Sequence, residues 1–294
     1  MKNNKFVALA LTPVFLIMIV FTFIPILWGF GIAFFNYNPL QAHNTFVGLA
    51  NIKKLFTDSV FLISLKNTLY FVVVTVALNL VITLLIAQFI SSLRSNKFRS
   101  LMRVVFFMPC VAPLAASGFV WRYMYDVKYG IINNALAVFG VLPHNWLGTP
   151  SSVIPSIIIF TLWADIGYNI IIFSTGIDGI PTDFHEAAAI DGAGRAARFF
   201  FVTLPLLART TAFVVLMTLI SQFQMFAQFE VMTRVGSGSG GPNNSGMVLT
   251  LDIYKTAFKY NDMGYASAIA LALFVLIMIF TVVSRRLNRV DWGY

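Results

Sequence analysis

The sequence predicts an all-α membrane protein with six transmembrane helices. Of its 294 residues, 59% are hydrophobic and only 11% are charged, and the mean hydropathy is +0.82. Soluble domains carry about 25% charged residues, so an ordinary soluble enzyme is excluded. The charges also separate six apolar windows, each close to the roughly 20 residues that a helix needs to cross the hydrocarbon core. Helices are expected because backbone groups in lipid must form their hydrogen bonds within the segment.

The six windows follow one another in what we interpret as a single transmembrane domain over residues 1–294. The first window is interpreted as a retained helix, because its apolar stretch is about twice the 7–15 residues of a signal peptide and no small-residue cleavage site follows. The fourth contains one acid, Asp165. The predicted spans are residues 6–35, 67–93, 104–121, 153–177, 210–229 and 263–284.

The net charge of +9 is interpreted as an orientation signal rather than as a nucleic-acid-binding surface, because basic residues collect in cytoplasmic loops. Two dense basic clusters decide the orientation: Arg94, Lys97, Arg99 and Arg103 before the third window, and Arg285, Arg286 and Arg289 after the last. We therefore expect both termini in the cytoplasm, with the spans surrounded by membrane lipid.

The loop between the fourth and fifth windows, residues 181–205, contains the most specific pattern. Asp183 and Glu186 are spaced as in a capping box at a helix start, and Gly192 is a typical helix stop. The helix between them is only about two turns long and has alanines at its centre. Small side chains let the backbone approach another surface closely, which predicts a docking element. A second short helix is expected from Arg195 to Val202.

These residues resemble the EAA motif of permease subunits in binding-protein-dependent ABC importers. Glu186-Ala187-Ala188, Gly192 four residues further on, and Val202-x-Leu204-Pro205 have the spacing of that motif, although the family has isoleucine in place of Val202. Further segments resemble landmarks of the carbohydrate-importing, maltose-type permeases: Phe107–Pro109, Trp121–Arg122, Trp146–Gly148, Gly240–Pro242 and Gly264–Ala268. The resemblance covers nearly the whole chain from residue 46 onward.

The resemblance implies the permease fold of a type I ABC importer in a bacterial cytoplasmic membrane. It implies that Glu186, Ala187, Ala188 and Gly192 form a coupling helix that docks on a partner ATPase. The implied partners are a second permease in a heterodimer, two ATPase subunits, an extracytoplasmic binding protein and a sugar substrate. Because the sequence contains no Gly-x-x-x-x-Gly-Lys-Ser/Thr motif, ATP and Mg are expected on the ATPase subunits. This chain is therefore expected to be a transport subunit and not an enzyme.

Polar residues within the fourth and fifth windows are the candidates for substrate contact, because polar groups inside a span usually face the bundle interior or an aqueous path. The resemblance places the sugar-contacting positions of these spans at Thr161, Asp165, Tyr168, Ser221, Gln222 and Met225, with Ala164 beside them and Cys110 and Leu114 in the third. Asp165 stands where the maltose permease has glycine, and this departure argues against maltose itself.

Three alternatives stay open. The polar side chains of the spans can serve as hydrogen-bond contacts between helices, which is the interpretation that we favour for Gln224 and Gln228. A proton- or ion-coupled secondary transporter would use Asp165 as its ion site, but no inverted repeat is visible. An intramembrane enzyme would need a nucleophile and a base, and no such pair is found. We expect no catalytic residue, no metal site, since the histidines lack ligand spacing, and no nucleic-acid partner.

Overall fold

The computed structural model describes residues 4–41, 44–234 and 238–287, and these are mostly helical. The all-α prediction is confirmed, with one addition: β1 (Phe35–Asn36) and β2 (Thr45–Phe46) form a short antiparallel pair. The helices are α1 (Asn4–Met18), α2 (Ile24–Ile32), α3 (Ala50–Leu55), α4 (Ser59–Ser92), α5 (Asn96–Val111), α6 (Leu114–Met124), α7 (Ile131–Ala137), α8 (Pro150–Asp178), α9 (Thr182–Ile190), α10 (Arg195–Arg198), α11 (Leu204–Leu206), α12 (Ala208–Phe223), α13 (Ala227–Met232), α14 (Leu249–Tyr254) and α15 (Met263–Leu287). Short π-helical segments lie at Ile19–Phe23, Phe199–Thr203 and Lys255–Lys259, and a 3-10 turn lies at Pro242–Asn244. Arg289 and both chain ends, which were used for the orientation, lie outside the described residues.

Four helical stretches are long and apolar enough to cross a membrane: Leu11–Ile32, Ser59–Ser92, Pro150–Asp178 and Met263–Arg286. Two further stretches reach this length only when two neighbouring helices are taken together, and each is bent. The bend is 94° between α5 and α6, and 70° between the α10–α11 segment and α12. The described residues therefore contain six crossings if each bent pair is counted as one, in the order of the six predicted windows.

The third window, predicted as one span over residues 104–121, is interrupted in the structure. α5 ends at Val111 and α6 begins at Leu114. Pro113 lacks a backbone N–H and disfavours the helical conformation in the residue before it, and Ala112 is accordingly extended (φ −73°, ψ 137°). The hydropathy of the window does not detect this break, because hydropathy depends on side-chain polarity and not on backbone geometry.

The fifth window, predicted over residues 210–229, also needs correction. α12 begins two residues earlier and ends at Phe223, and the end of the window belongs to the separate helix α13. α13 is positioned by buried aromatic packing, since the centre of the Phe229 ring lies 4.8 Å from that of Phe71 in α4. The apolar character of this end therefore reflects packing against a neighbouring helix, and not a continuation of the span.

The other four windows agree with helices whose ends differ from the predicted ones by a few residues. The largest difference is at α4, which begins at Ser59 and not at residue 67. The Asp58 carboxylate accepts a hydrogen bond from the backbone N–H of Val60 (2.9 Å), as a residue that caps a helix start does. Because the first turns of α4 include the charged Lys66, they fall outside an apolar window although they are helical.

The chain divides into two compact units. The first consists of residues 1–62 and 249–275. Within it, the Asn51 side chain donates hydrogen bonds to the backbone oxygens of Ala33 and Phe35 (3.0 and 2.9 Å), which attaches α3 to the end of the first span. The Tyr265 hydroxyl donates to the Asp58 carboxylate (2.7 Å) and thereby links α15 to the start of α4.

The second unit consists of residues 63–248 and 276–294, and it contains the predicted site residues. Its core includes a buried cluster of Ala87, Phe173, Leu207 and Val214, which joins α4, α8 and α12. α5 and α8 approach each other closely at Gly167, where an added Cβ would collide with the backbone carbonyl of Phe106. Glycine at this position therefore lets α5 lie directly beside the polar face of α8. The interpretation of residues 1–294 as one transmembrane domain stays a prediction.

Candidate functional site

α9 is the short helix predicted in the loop after α8. It ends in a Schellman motif, in which the Gly192 N–H donates to the Ala189 carbonyl (3.1 Å) and the Ala193 N–H donates to the Ala188 carbonyl (2.9 Å). Gly192 has a φ of +80°, a left-handed conformation that favours glycine. The predicted helix stop at Gly192 is confirmed, and it turns the chain toward α10.

The predicted capping box at the start of this helix is wrong. α9 begins at Thr182, with Pro181 in the cap position, and no side chain caps the first turn. Proline has no side-chain acceptor, so the helix starts without the reciprocal bonds that a capping box provides. Asp183 lies in the first turn instead, where its negative charge is favourable near the positive end of the helix dipole. Glu186 is exposed on the loop surface.

The surface of this loop combines small and apolar side chains. Ala187 is exposed and Ala188 is half-buried. Ile190 is 87% exposed, and the phenylalanines of the loop are also exposed at positions 184, 200 and 201. The second predicted helix, from Arg195 to Val202, is present as α10 and the π-helical segment that follows it. Clustered exposed apolar side chains are typical of a surface that docks on another molecule.

Asp178, the last residue of α8, connects the end of that helix to α5. Its carboxylate accepts hydrogen bonds from both Arg99 and Arg103, and the Arg103 Nη2 to Asp178 Oδ2 distance is 2.5 Å. The two arginines are four residues apart and therefore lie on the same face of α5. The sequence analysis uses these arginines only to predict the orientation and does not predict their contact with Asp178. Two arginines at helical spacing before the third window, together with one acid directly after the fourth, are the sequence pattern that could have predicted this ion pair.

A cavity of about 440 Å³ lies between α5, α6, α8 and α12. Its volume is in the range of small-ligand sites. It brings together seven of the nine positions that the resemblance placed in contact with the sugar: Cys110, Leu114, Ala164, Asp165, Tyr168, Ser221 and Gln222. The remaining lining residues come from α5, α8 and α12: Phe107, Asn169, Met217 and Thr218. Phe107 and Met217 were missed as ligand contacts because the search within the spans was based on polarity.

The polar groups of this cavity are rich in hydrogen-bond acceptors. The Gln222 amide Nε2 donates to Asp165 Oδ2 (3.0 Å), which orients the amide and the carboxylate toward each other. The buried Gln222 Oε1 has no hydrogen-bond partner among the described residues. Within that part of the chain, Asp165 is the one charged residue lining the cavity. A carboxylate and an amide oxygen bind ligand groups that donate hydrogen bonds, such as hydroxyls, and they repel anions.

The structure does not place Thr161 or Met225 among the lining residues. Thr161 is buried one turn before Asp165, and the Met225 sulfur accepts a hydrogen bond from the Gln228 amide (2.6 Å). Asn169 bridges helices, because its amide donates to Asn79 Oδ1 of α4 (2.7 Å) and to Thr218 Oγ1 of α12 (3.0 Å). In the ranges that the structure describes, no group of three or more histidine, cysteine or acidic side chains is placed to hold a metal ion.

Residues 79–290 match the family described as binding-protein-dependent transport system inner membrane component. The chain belongs to this family. The match includes α9 and every residue that lines the cavity. Membership makes the chain a multi-pass component of an inner membrane, in agreement with its apolar helices. The comparisons give no support to an ion-coupled secondary transporter.

Several curated proteins are similar to this permease over almost their whole length. The trehalose/maltose transport system permease protein MalF of Thermococcus litoralis is 31% identical, with 98% of this chain and 95% of the relative covered. The multiple sugar-binding transport system permease protein MsmF of Streptococcus mutans is 32% identical, with 93% and 92% covered. A chain from the crystal structure of a bacterial ABC transporter that imports the acidic polysaccharide alginate superposes with a TM-score of 0.85 at 20% identity, covering 98% of this chain and 96% of that chain. The last similarity shows that the fold is that of an ABC importer permease.

Proposed function

We propose that this chain is the permease subunit of an ATP-driven sugar importer and forms half of its translocation path. The observation that carries the proposal is the position of α8. Its middle lines the cavity with Asp165 and Tyr168, and its last residue, Asp178, leads directly into the exposed α9 loop. A displacement of the loop therefore reaches the cavity through one continuous helix. One relative is named as a permease of a trehalose/maltose transport system and another as a permease of a multiple sugar-binding transport system. These names support a sugar as the substrate.

In this proposal, the α9 loop couples the permease to partner ATPases. Glu186, Ala187, Ala188 and Gly192 form the docking surface, and the exposed apolar side chains beside them extend it. ATP and Mg bind to two ATPase subunits, whose closure moves the docked loops as rigid bodies. The loop and both chain termini face the cytoplasm. A second permease completes the path as a heterodimer, and a binding protein delivers the sugar from the other side.

The substrate path passes through the cavity, where Asp165, Gln222 and Ser221 offer hydrogen-bonding groups and Tyr168 offers an aromatic face. Thr161 and Met225 complete the proposed path beyond the cavity lining. Because acceptors predominate and no described lining residue is basic, we propose an uncharged, hydroxyl-rich sugar. Sugar phosphates and uronic acids would bring a negative charge next to Asp165.

The coupling assignment is tested with a charge reversal at Glu186. We expect most of the ATPase to no longer co-purify with the tagged Glu186→Lys permease. A partner surface that is complementary to a glutamate would be repelled by the positive charge of a lysine. The thermal unfolding of the membrane portion should be unchanged, since Glu186 is exposed. The matched control is the charge reversal Lys128→Glu, at an exposed residue of another loop, which should retain the ATPase. Full ATPase association and full uptake by the Glu186 variant would show that the coupling assignment is wrong.

A further inference from the structure

A segment with few charged residues joins α6 to α8 at the end of α8 that is remote from the α9 loop. We call residues 126–149 the connecting segment; it contains α7. Its charged residues are Asp126 and Lys128, at its start, and from Tyr129 to Thr149 it has no aspartate, glutamate, lysine or arginine. Segments that lie in water usually carry charges, since about a quarter of the residues in soluble domains are charged. The composition of the connecting segment is therefore not that of a water-exposed loop.

The connecting segment has a well-defined base. Asn133 is buried, and its amide nitrogen donates to the carbonyls of Asp126, Val127 and His144 (3.3, 3.3 and 2.9 Å). Its amide oxygen accepts from the backbone N–H of His144 (3.2 Å) and from the indole N–H of Trp146 (2.9 Å). One side chain thus holds both ends of the segment together, so the position of its tip is determined by these bonds.

The tip of the segment exposes large apolar side chains. Val138 is 81%, Phe139 83% and Leu142 84% exposed. The turn between them is a Schellman motif, with the Gly140 N–H donating to the Ala137 carbonyl (2.9 Å) and the Val141 N–H donating to the Leu136 carbonyl (3.2 Å). Gly140 supplies the left-handed conformation, with a φ of +76°. The local backbone therefore presents these apolar side chains outward.

The base of the segment is attached to the first two turns of α8. The Ser152 hydroxyl donates to the Trp146 carbonyl (2.8 Å), and the Tyr125 hydroxyl donates to the Ser156 carbonyl (3.0 Å). α8 has 29 residues and is about 43 Å long, which exceeds the roughly 30 Å of the hydrocarbon core by two turns or more. This excess is enough for the first turns of α8, and for the connecting segment that is bonded to them, to lie at the boundary between the hydrocarbon and the headgroups.

We propose that the tip of the connecting segment, residues 138–142, inserts into the lipid leaflet opposite the α9 loop. Its exposed apolar side chains contact the upper acyl chains, and the exposed Tyr129 and Lys128 lie at the headgroups, where aromatic and basic side chains are favourable. The partner is therefore a phospholipid surface and not a soluble protein. If the α9 loop is cytoplasmic, as in the proposed function, this leaflet is the outer one; only that assignment rests on the proposed function.

The test measures the lipid contact in the assembled transporter. A fluorescent amino acid is introduced at Phe139 or at Leu142, and the permease is purified with its co-assembling subunits into nanodiscs. The phospholipid of the nanodiscs carries a nitroxide quencher near the top of the acyl chain. The control probe replaces Ile190, which is 87% exposed in this chain but lies in the α9 docking surface, and it is measured only in preparations that retain the co-purifying ATPase. All three side chains are exposed, so their replacement does not disturb the core.

We expect the nitroxide lipid to quench the probes at 139 and 142 several-fold more than the probe at 190. Addition of the cognate binding protein should leave this quenching unchanged. The proposal is overturned if the three probes are quenched to the same extent. It is also overturned if the probes at 139 and 142 become shielded only when the binding protein is added, because the segment would then be a protein-docking surface.

Discussion

Asp165 is the residue whose environment bears most directly on substrate choice. A carboxylate within a membrane span is costly, and such residues usually mark a transport path. Here the carboxylate is held by the Gln222 amide at 3.0 Å and faces a cavity whose other described lining residues are uncharged. The pair is therefore arranged to accept hydrogen bonds from a ligand, in addition to the contact that it makes between α8 and α12.

Replacing this carboxylate by an amide should slow transport. We expect Asp165→Asn to lower the maximal uptake rate about tenfold, the equivalent of roughly 1.4 kcal/mol, because one hydrogen bond to a charged group becomes neutral. The KM for uptake should change little, since in the proposed assembly the binding protein captures the substrate first. Uptake is measured in proteoliposomes that contain the complete transporter and its binding protein.

The control for this variant is Gln224→Ala, at an exposed residue that does not line the cavity. It should transport at the rate of the unmodified protein. An Asp165→Asn transporter with an unchanged maximal rate would remove Asp165 from the substrate path. Its role would then be limited to the hydrogen bond with Gln222 between the two helices.

Asp178 offers a second prediction for a single residue. Asp178→Asn replaces a carboxylate that binds two arginines by a neutral amide, and we expect it to lower the free energy of unfolding by about 1–2 kcal/mol. The three side chains are largely shielded from water, with 22%, 28% and 33% exposed, so screening does not cancel the effect. We also expect less sugar transported per ATP hydrolysed, since α5 would no longer follow the end of α8.

Thermal unfolding and the ratio of uptake to ATP hydrolysis are measured on the same preparation. Asp191→Asn makes the same chemical change at the exposed acid that follows α9 and should leave the unfolding temperature unaltered. If Asp178→Asn changes neither stability nor the transport ratio, the ion pair has no mechanical role between α5 and α8.

At the scale of elements, the end of α9 depends on one backbone conformation. Gly192 has a φ of +80°, whereas Gly194, two residues later, has a φ of −67°. Neither glycine has another atom within 4 Å of an added Cβ. The two positions therefore differ in backbone conformation and not in the space available, which makes them a matched pair for substitution.

We expect Gly192→Ala to destabilise the end of α9 by about 1 kcal/mol, because a left-handed conformation is unfavourable for a residue with a Cβ. Amide hydrogen exchange within α9 should become faster, and less ATPase should co-purify. Gly194→Ala should leave both measurements unchanged. Equal behaviour of the two variants would mean that the Schellman motif does not define the docking surface.

At the scale of the whole molecule, the proposed energy source can be separated from the ion-coupled alternative. We expect uptake in proteoliposomes to persist when an uncoupler removes the proton gradient at constant ATP, because the permease is driven by partner ATPases. Removal of ATP at a constant gradient should abolish uptake. Uptake that is lost with the gradient while ATP is maintained would instead assign Asp165 to an ion site.

Much of this architecture is predictable from the sequence, for identifiable reasons. Apolar windows locate spans because the cost of burying charge in lipid is large, and the helix stop at Gly192 is predictable because few residues other than glycine adopt a left-handed conformation. The start of α9 was not predicted correctly, since Asp183 and Glu186 have capping-box spacing but Pro181 occupies the cap position. The breaks at Ala112 and after Phe223 were also missed, because the windows were delimited by charged residues and neither break lies at one.

By itself, the sequence determined the helical membrane class, the order of six crossings and the loop with the EAA spacing. These properties depend on local composition and on the spacing of neighbouring residues, and they can therefore be predicted from hydropathy and from the residue preferences of turns. Only the tertiary structure decided that Asp165 and Gln222 share a cavity, that Asp178 binds Arg99 and Arg103, and that Asn133 closes the connecting segment. The first two contacts join residues that are distant in the sequence, and they exist because close packing, as at Gly167 against Phe106, sets the distance between their helices. The Asn133 bonds span only 6 to 13 residues, and they form because the segment folds back on itself around this side chain.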